Sequence, residues 1–593
     1  MPNRRHFLRA AGLALGTGAL GTGALTSRAF GSEAFGAGLG STPARTTTPN
    51  PERRAVAPAG TTLSTAATAP RAPGYQRLRA GPGWPLVVRD ELAAGAATRD
   101  DRRHPLTAFV QFTDLHLVDA QSPARFEYLH PLLPGAYRPH ETLGAVAAAH
   151  LVQRVNALPG GPVSGRAFDF AISTGDNSDN HEHAELDWFL QVLNGGRLSQ
   201  NTGDPHRYEG VQNAGDRLYW NPDGDVADRY RAAGFPALPG LLDAAIRPFT
   251  SPGLRMPWYV TFGNHDDAVA GTLPDELLPG REHCYEGSRK TIGVDERDAR
   301  AMAAALRDPR QRGSAGHALG RNRGVVREVT PDPRRKPFTT REFLAAHLDP
   351  ARTGPGPRGH GFSADNVDDG TAYYAFRMAP GITGISLDTT NTNGFADGSI
   401  GLAQYRWLEK VLTRNSSRYR SDIGREHRRP VSDELFVVFS HHTSSTMTAL
   451  WSDAREPAEP RFGGSSVVKL LQRFPTVVAW VNGHTHSNAI TPHPADDPEF
   501  GFWEVNTASH VDYPQLARSI ELVDNRDGTL SLFTALLESD APYAVDHGDR
   551  SPTALASLYR ELSFNDPHRS LAHVGQPADR NAELLLRGRF PGS

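Results

Sequence analysis

Five short clusters of aspartate, asparagine and histidine are the residues of this 593-residue sequence whose types and spacing could do chemistry. In chain order they are Asp114-Leu115-His116, Gly175-Asp176-Asn177, Gly263-Asn264-His265-Asp266, His441-His442 and Gly483-His484-Thr485-His486. Carboxylate, amide and imidazole groups without a thiolate suit Mn, Fe, Zn, Co or Ni in a reactive site rather than a structural zinc finger. One Asp-x-His pair is weak, but five clusters in succession predict a metal centre.

The elements that must position these clusters are short apolar runs, each predicted to be a buried strand. The runs span 108–112, 168–172, 258–262, 382–387, 435–439 and 477–481. Helical spacing of leucines and aromatic residues over 186–193 and 402–412 predicts helices between them, and residues 519–532 are typical of a hairpin. Alternating strands and helices predict α/β layers around a buried sheet.

Each cluster follows a predicted strand, which is where α/β folds present functional groups. Glycine precedes Asp176, Asn264 and His484, and we expect it to permit a sharp backbone turn where each strand stops. Sequence position alone therefore predicts that the five clusters converge at strand ends.

The ordered motifs resemble the calcineurin-like metallophosphoesterase superfamily over about residues 106–490. The resemblance implies a four-layer α/β/β/α sandwich with long loop insertions and a two-metal site at the strand ends. Asp388-Thr389-Thr390, His510-x-Asp512-Tyr513-Pro514 and the chain's two ends resemble a secreted bacterial subfamily that carries a twin-arginine signal.

Carried over residue by residue, the resemblance implies a role for each motif position. One metal ion would be held by Asp114, His116 and His486, and the second by Asn264, His441 and His484. Asp176 would bridge both ions, while His265 would sit beside the scissile phosphoryl group and be oriented by Asp266. Asn177, His442, Asp267 and His510 are expected to support the site rather than to be ligands. Asp179 stands where purple acid phosphatases carry a tyrosine ligand, so no tyrosinate colour is expected.

The expected function is a metal-dependent phosphoric ester hydrolase, a phosphatase or phosphodiesterase. Two transition metal ions, most plausibly Mn, Fe or Zn, could clamp the phosphate and activate a bridging water for in-line attack. The alternative is a non-catalytic envelope-binding module that retains the fold. The presence of every expected ligand and of His265 favours the enzyme.

The N-terminal residues 1–29 have the order of a twin-arginine signal peptide: Arg4-Arg5, a weakly apolar run and a small-x-small cleavage pattern ending at Ala29. This predicts export to the periplasm, cell wall or medium, with the twin-arginine machinery as a partner. Residues 30–75, rich in Ala, Gly, Pro and Thr, are predicted to be a flexible tether. The catalytic domain is expected over 76–544, with insertions at about 196–256 and 268–365, and a peripheral extension over 545–593.

Composition excludes several other classes. The formal charge of −3 argues against nucleic-acid binding, and the single cysteine, Cys284, excludes an intramolecular disulfide. No segment of the expected mature chain is predicted to span a membrane, and the GxGxxG string at Gly16 follows no strand, so it implies no dinucleotide cofactor.

Residues 290–336 hold 12 Lys or Arg against 6 Asp or Glu. These residues either steer an anionic phosphoester substrate or form a solvated insert.

Overall fold

A computed structural model describes residues 59–70, 73–271, 282–308 and 324–588. Within these residues a seven-stranded and a six-stranded sheet are combined with helices, so the predicted α/β class is confirmed. The predicted signal peptide and residues 30–58 of the predicted tether lie outside the described residues. No helix in the described ranges is long and apolar enough to cross a membrane.

The larger sheet has seven strands, numbered here along the chain. In spatial order they are β3 (Leu86–Arg89), β23 (Asn581–Arg587), β22 (Thr529–Leu537), β21 (Ala517–Asp524), β4 (His104–Phe112), β5 (Phe170–Thr174) and β8 (Trp258–Thr261). β4, β5 and β8 are parallel neighbours. Their carboxyl ends therefore meet at one edge of the sheet.

The second sheet has six strands. In spatial order they are β11 (Tyr374–Ala379), β12 (Ile382–Ser386), β16 (Leu435–Phe439), β18 (Val477–Asn482), β20 (Phe502–Asn506) and β19 (Ala489–His493). The four inner strands are parallel. All residues of β16 and β18 are buried, as expected for parallel strands covered on both faces.

The remaining strands form five two-stranded ribbons. They are β1 (Thr65–Thr68) with β2 (Arg79–Pro82), β6 (Gly196–Leu198) with β7 (Phe249–Ser251), β9 (Arg289–Gly293) with β10 (Val325–Glu328), β13 (Ile400–Gly401) with β17 (Arg461–Phe462), and β14 (Arg418–Arg420) with β15 (Glu426–Arg428).

The α-helices in the described residues vary from one turn to 14 residues. They are α1 (Gly144–Ala157), α2 (His183–Asn194), α3 (Arg229–Ala232), α4 (Leu241–Ala245), α5 (His283–Glu286), α6 (Glu296–Arg307), α7 (Thr340–Leu348), α8 (Ala364–Asp369), α9 (Leu402–Arg414), α10 (Gly464–Leu471), α11 (Pro552–Asn565) and α12 (Pro577–Arg580). The six predicted strands, the two predicted helices and the hairpin β21–β22 are confirmed within five residues at their ends.

Apolar clusters show which faces of the two sheets are covered. One cluster joins both sheets, and its aromatic contact is Phe109 of β4 against Phe439 of β16, with ring centroids 5.6 Å apart. A second cluster packs Val110 of β4 against α1 and α2. A third packs Val438 of β16 against α9 and α10. Alternate residues of one strand therefore face different layers, as strand geometry requires.

The C-terminal region differs from its prediction as a peripheral extension. β23 is the second strand of the seven-stranded sheet, antiparallel to β22 and parallel to β3. Ala582 and Leu584 are fully buried in the cluster between the sheets. The prediction is wrong because the apolar run of β23 finds its partners far away in sequence, which periodicity alone does not reveal.

The predicted tether also ends earlier than expected. Thr62 donates its backbone N–H to the carbonyl of Leu536, and its hydroxyl to Asn581 Oδ1 at 2.9 Å. Residues 59–70 are thus fixed along β22 and by the β1–β2 ribbon, whose hydrogen bonds offset the low apolar content of this segment.

The first predicted insertion, 196–256, is packed rather than loose. Its aromatic residues Tyr219, Trp220 and Tyr230 are fully buried and share an apolar cluster with Tyr559 and Leu562 of α11. The insertion and the C-terminal helix therefore cover each other, a pairing that neither segment's local sequence indicates.

Some of the basic side chains of the Arg-rich segment 290–336 are buried inside the protein. The buried Lys290 ammonium donates to Glu127 at 2.5 Å, and buried Arg335 pairs with Asp119 at 2.9 Å. Residues 309–323 lie outside the described residues. Neither substrate steering nor a solvated insert describes Lys290 and Arg335, because a buried, paired charge is not solvated and adds little field at the surface.

Truncating β23 in its core should test whether the C-terminal strand stabilises the domain. We expect Leu584→Ala to reduce the free energy of unfolding by about 2–5 kcal/mol, because it leaves a cavity between the sheets. Urea denaturation measures the change. The matched control is Leu571→Ala, at a side chain 58% exposed, which should cost less than about 0.5 kcal/mol. Equal effects of the two substitutions would contradict the assigned role of β23.

Candidate metal centre

The carboxyl ends of five strands bring the predicted ligands together. Asp114, Asp176 and Asn264 follow β4, β5 and β8, while His441 and His484 follow β16 and β18. The donor atoms of Asp114, His116 and His486 lie within 4.8 Å of one another, and so do those of Asp114, Asp176 and His441. The two sheets thus contribute to one cluster of potential ligands.

Asp176 lies between the two sets of predicted ligands. Its Oδ2 is 3.1 Å from His441 Nε2 and 3.5 Å from His116 Nε2. His441 Nε2 is also 3.1 Å from Asn264 Oδ1 and 3.1 Å from His484 Nδ1. On the other side, His486 Nε2 lies 3.3 Å from Asp114 Oδ1. All seven predicted ligand residues are therefore in one place, with Asp176 in the middle.

Three of the histidines are held by their Nδ1 atoms. His116 Nδ1 contacts Asp179 Oδ1 at 2.7 Å, His441 Nδ1 contacts the Thr174 carbonyl at 2.9 Å, and His486 Nδ1 contacts Asp512 Oδ2 at 2.5 Å. Each acceptor favours the tautomer with the proton on Nδ1. The Nε2 lone pair then faces the cluster, as metal-binding histidines require.

Two further observations indicate that this set of donor atoms suits a metal ion: an unpaired buried nitrogen and the pKa values of the cluster. His116 Nε2 is buried without a hydrogen-bond partner, and an unsatisfied buried nitrogen costs about 1–3 kcal/mol. Burial alone would raise the pKa of Asp114, yet the nearby His486 and His441 outweigh it and hold the pKa at about 2. Burial likewise lowers the pKa of His441, but Asp176 raises it to about 9. The pocket thus favours positive charge at its centre.

The backbone at the cluster is strained. Asp114, His116, Asp176, His484 and His486 all have positive φ, between 42° and 70°. Non-glycine residues seldom adopt this region, and such strain clusters at functional sites. Because these residues adopt positive φ in short turns, several of their side chains are directed toward the same place.

The glycines before the ligands differ from their predicted role. Gly175 has φ 94°, so it does supply a turn. Gly263 has φ −115°, and a Cβ there would lie 2.2 Å from the Asp176 nitrogen. A Cβ at Gly483 would lie 1.9 Å from Thr113 Oγ1. Two of the three glycines are therefore required for close packing of the ligand loops, not for their backbone angles.

His265 lies beside the cluster, with its ring 4.5 Å from that of His116 and its side chain 27% exposed. Its backbone N–H donates to Asp176 Oδ1 at 2.8 Å. Its Nδ1 is 3.1 Å from the Asp179 carbonyl and 3.6 Å from Asp179 Oδ1. Asp179 therefore positions the His265 ring.

The predicted role of Asp266 as the residue that orients His265 is wrong. The buried Asp266 carboxylate instead accepts hydrogen bonds from Asn177 Nδ2 at 2.9 Å, from the Ser178 nitrogen at 2.9 Å and from the Gly263 nitrogen at 3.1 Å. It ties together the loops after β5 and β8, and its adjacency in sequence to His265 was misleading because consecutive side chains point apart.

The residues expected to support the site have varied positions. His442 contacts Thr389 Oγ1 at 2.8 Å, its ring lies 4.4 Å from His484, and its Nε2 is buried without a hydrogen-bond partner. Asp267 pairs with Arg455 at 2.6 Å. The His510 ring stacks on Tyr559 at 5.2 Å, while its backbone N–H donates to the Thr113 carbonyl beside Asp114. His442 is thus the member of this group that reaches the cluster.

Sequence reasoning missed two positioning carboxylates. Asp179 holds both His116 and His265, and Arg125 forms an ion pair with it. Asp512 holds His486 and accepts hydrogen bonds from Arg138 Nε at 2.6 Å and from Arg138 Nη2 at 3.2 Å. Asp179 could have been found from its spacing of three residues after Asp176, but Arg138 carries no local signal.

Comparisons with known proteins give little further information. No family model matches the sequence, and no curated protein sequence matches it. Among solved structures, a dimetal phosphatase from Danio rerio aligns with a TM-score of 0.31 and 11% sequence identity, over 74% of this chain and 100% of that chain. A TM-score at this level does not establish a common fold.

Neutralising Asp512 should weaken metal binding without removing a ligand. We expect Asp512→Asn to raise the dissociation constant for Mn²⁺ by about 10- to 100-fold. A neutral amide forms a weaker hydrogen bond with the Nδ1 proton of His486 than a carboxylate does, so the imidazole becomes a less basic ligand. Competition titration with a metal-sensitive dye measures the constant. Asp496→Asn, at an exposed position, is the matched control, and an affinity that is equal in both variants would contradict the role given to Asp512.

Proposed function

We propose that this chain is an exported dinuclear-metal phosphoesterase that hydrolyses phosphate monoesters or diesters. The observation that carries the proposal is the convergence of the six other predicted ligands around Asp176, with three imidazoles held through Nδ1. A structural metal site would not need an adjacent, partly exposed histidine, whereas His265 provides one. The exported location rests on the twin-arginine pattern of residues 1–29 alone.

The fold that this proposal assumes is the four-layer α/β/β/α sandwich. It is supported by the three apolar clusters: helices α1 and α2 against the seven-stranded sheet, the two sheets against each other, and α9 and α10 against the six-stranded sheet. In such an arrangement both sheets present the ends of their parallel strands to one edge, which is where the ligands lie.

The residues present would hold two ions. Asp114, His116 and His486 would take one, Asn264, His441 and His484 the other, and Asp176 would contact both. When bound, the ions supply Lewis acidity that neutralises phosphoryl oxygens and acidifies water. The neutral amide of Asn264 limits the negative charge that the donor set presents to an anionic substrate.

The chain's own contribution to bond breaking centres on His265. The Asp179 carbonyl can only accept, so the His265 Nδ1 atom carries the proton of that hydrogen bond and Nε2 is the ring nitrogen left for a substrate. In its imidazolium form, His265 can pass the Nε2 proton to the leaving oxygen as the bond to phosphorus breaks and remain as the neutral imidazole, a step typically worth 10²- to 10⁴-fold in rate. Asp179 fixes the ring while its carboxylate also holds His116.

Hydrolysis of model esters tests the proposal directly. The purified chain should hydrolyse an aryl phosphate monoester or the matching bis-aryl diester with Mn²⁺ and stop on chelation. Asp176→Ala should lose metal and turnover together, because it removes the residue between both ligand sets. Asp496→Ala is the matched surface control. Full metal occupancy in Asp176→Ala would contradict the assignment, and the monoester-to-diester ratio would identify the substrate class.

His265 should matter most when the leaving group is poor. We expect His265→Ala to reduce kcat by about 10²- to 10⁴-fold for an alkyl phosphate, but much less for a nitrophenyl phosphate, whose leaving group needs no proton. Steady-state kinetics on the two esters measure the difference. His206→Ala, at an exposed histidine, is the control, and an equal loss on both esters would exclude proton donation as the role of His265.

A further inference from the structure

A cavity of about 390 Å³ opens beside the candidate metal centre. One end is lined by His484 and His486, so a molecule in the cavity reaches the predicted ligands. Another wall is formed by the C-terminal segment 563–573, which includes the end of α11 and the chain that follows it. The volume of the cavity lies in the lower part of the range of about 300–1,000 Å³ that is usual for small-molecule sites.

The two arginines of the cavity differ in how their charge is compensated. Arg138 is satisfied, because its Nε and Nη2 atoms donate to Asp512 and its Nη1 atom donates to the Gly135 carbonyl. Arg569 forms no ion pair within the described residues; its guanidinium lies over the Phe564 ring, 4.5 Å from the centroid, and its Nε is buried without a hydrogen-bond partner. Arg569 is therefore a cation held in place by packing, with its hydrogen-bonding capacity unused.

The same wall carries further unsatisfied nitrogens. His568 Nε2 and His573 Nδ1 are both buried without hydrogen-bond partners. Arg569, His568 and His573 thus line the cavity from one short segment, and none of these three buried nitrogens is committed to a partner within the described residues. The acidic residue of this wall is Asp566, whose Oδ1 already accepts the His568 backbone N–H at 2.8 Å. Burial raises the Asp566 pKa to about 7, which reduces its opposition to an anion.

We propose that this cavity binds a second oxyanion of the substrate, a phosphate or carboxylate group separate from the scissile phosphoester, with Arg569 as its charged partner. The inference rests on the proposed function, since it is the nearby metal centre that would hold the scissile group. The substrate class is then a phosphoester with a second anionic group on the portion that extends away from the ions. His568 and His573 line the cavity from the same wall as Arg569.

Non-hydrolysable phosphonates test this without relying on turnover. Isothermal titration calorimetry would compare ethylphosphonate, 3-phosphonopropionate and propane-1,3-diphosphonate on the Mn²⁺-saturated chain. At least one two-anion probe should bind about 10- to 100-fold more tightly than ethylphosphonate, as a charge-assisted contact implies. The stronger of the two identifies the second group as carboxylate or phosphate. Equal affinities for all three probes would overturn the inference.

Substitutions distinguish a specific role of Arg569 in binding from general effects of a substitution on the protein. Arg569→Gln should reduce the preference to below about threefold while ethylphosphonate affinity stays unchanged, which also reports that the variant is folded. Arg569→Lys should keep part of the preference. Arg255→Gln, at an exposed arginine that precedes β8 and so lies at the strand end opposite Asn264, should keep all of it. A preference that survives in Arg569→Gln would assign the binding to other residues and overturn the inference.

The two proposals fail in different ways. If ethylphosphonate binds and Asp176→Ala loses metal and turnover, but no probe is preferred, only the second-oxyanion site is wrong. If Mn²⁺-saturated chain binds none of the phosphonates and Asp176→Ala keeps full metal occupancy, the metallophosphoesterase function itself is contradicted, and the inference is contradicted with it.

Discussion

The burial of two carboxylates, Asp114 and Asp176, between the ends of two sheets is the constraint on which the rest of the structure depends. A carboxylate removed from water must be compensated by positive charge or hydrogen bonds, or it becomes neutral. Imidazoles supply the compensation here, and for both groups the charge effect exceeds the cost of burial. A site that stabilises carboxylates in this way is one that prefers a cation at its centre.

That constraint explains features that otherwise have no local reason. Three imidazoles, those of His116, His441 and His486, present Nε2 to the cluster, so acceptors are needed at their Nδ1 atoms: Asp179, Asp512 and the Thr174 carbonyl. The ligand loops must approach closely, so there is no room for a Cβ at Gly263 or Gly483. Positive φ at five ligands costs about 1–3 kcal/mol each, which the apolar clusters on both sheets must offset.

The sequence predicts this site well because its ligands are local to strand ends. Each cluster follows an apolar run, and parallel neighbours such as β4, β5 and β8 necessarily bring their carboxyl ends together. Residues that act across the fold were not predictable in the same way. Arg138 meets Asp512 across 374 positions, and β23 pairs with β3 across almost the whole chain. Asp266 shows the opposite kind of error: it is next to His265 in sequence, but its carboxylate does not contact the His265 ring.

The same distinction between local and distant contacts separates the predicted ligands from the cavity beside them. The predicted ligands belong to the two sheets, whereas another wall of the cavity belongs to residues 563–573, at and after the end of α11. Helix α11 is itself held by the aromatic residues of the insertion 196–256, through Tyr559 and Leu562. The cavity wall therefore depends on two segments outside the core strands, and either could change the shape of the cavity while Asp176 and its neighbours remain in place. A cation such as Arg569, fixed by Phe564 rather than by a carboxylate, is a feature that this outer layer can offer without disturbing the charge balance of the predicted metal centre.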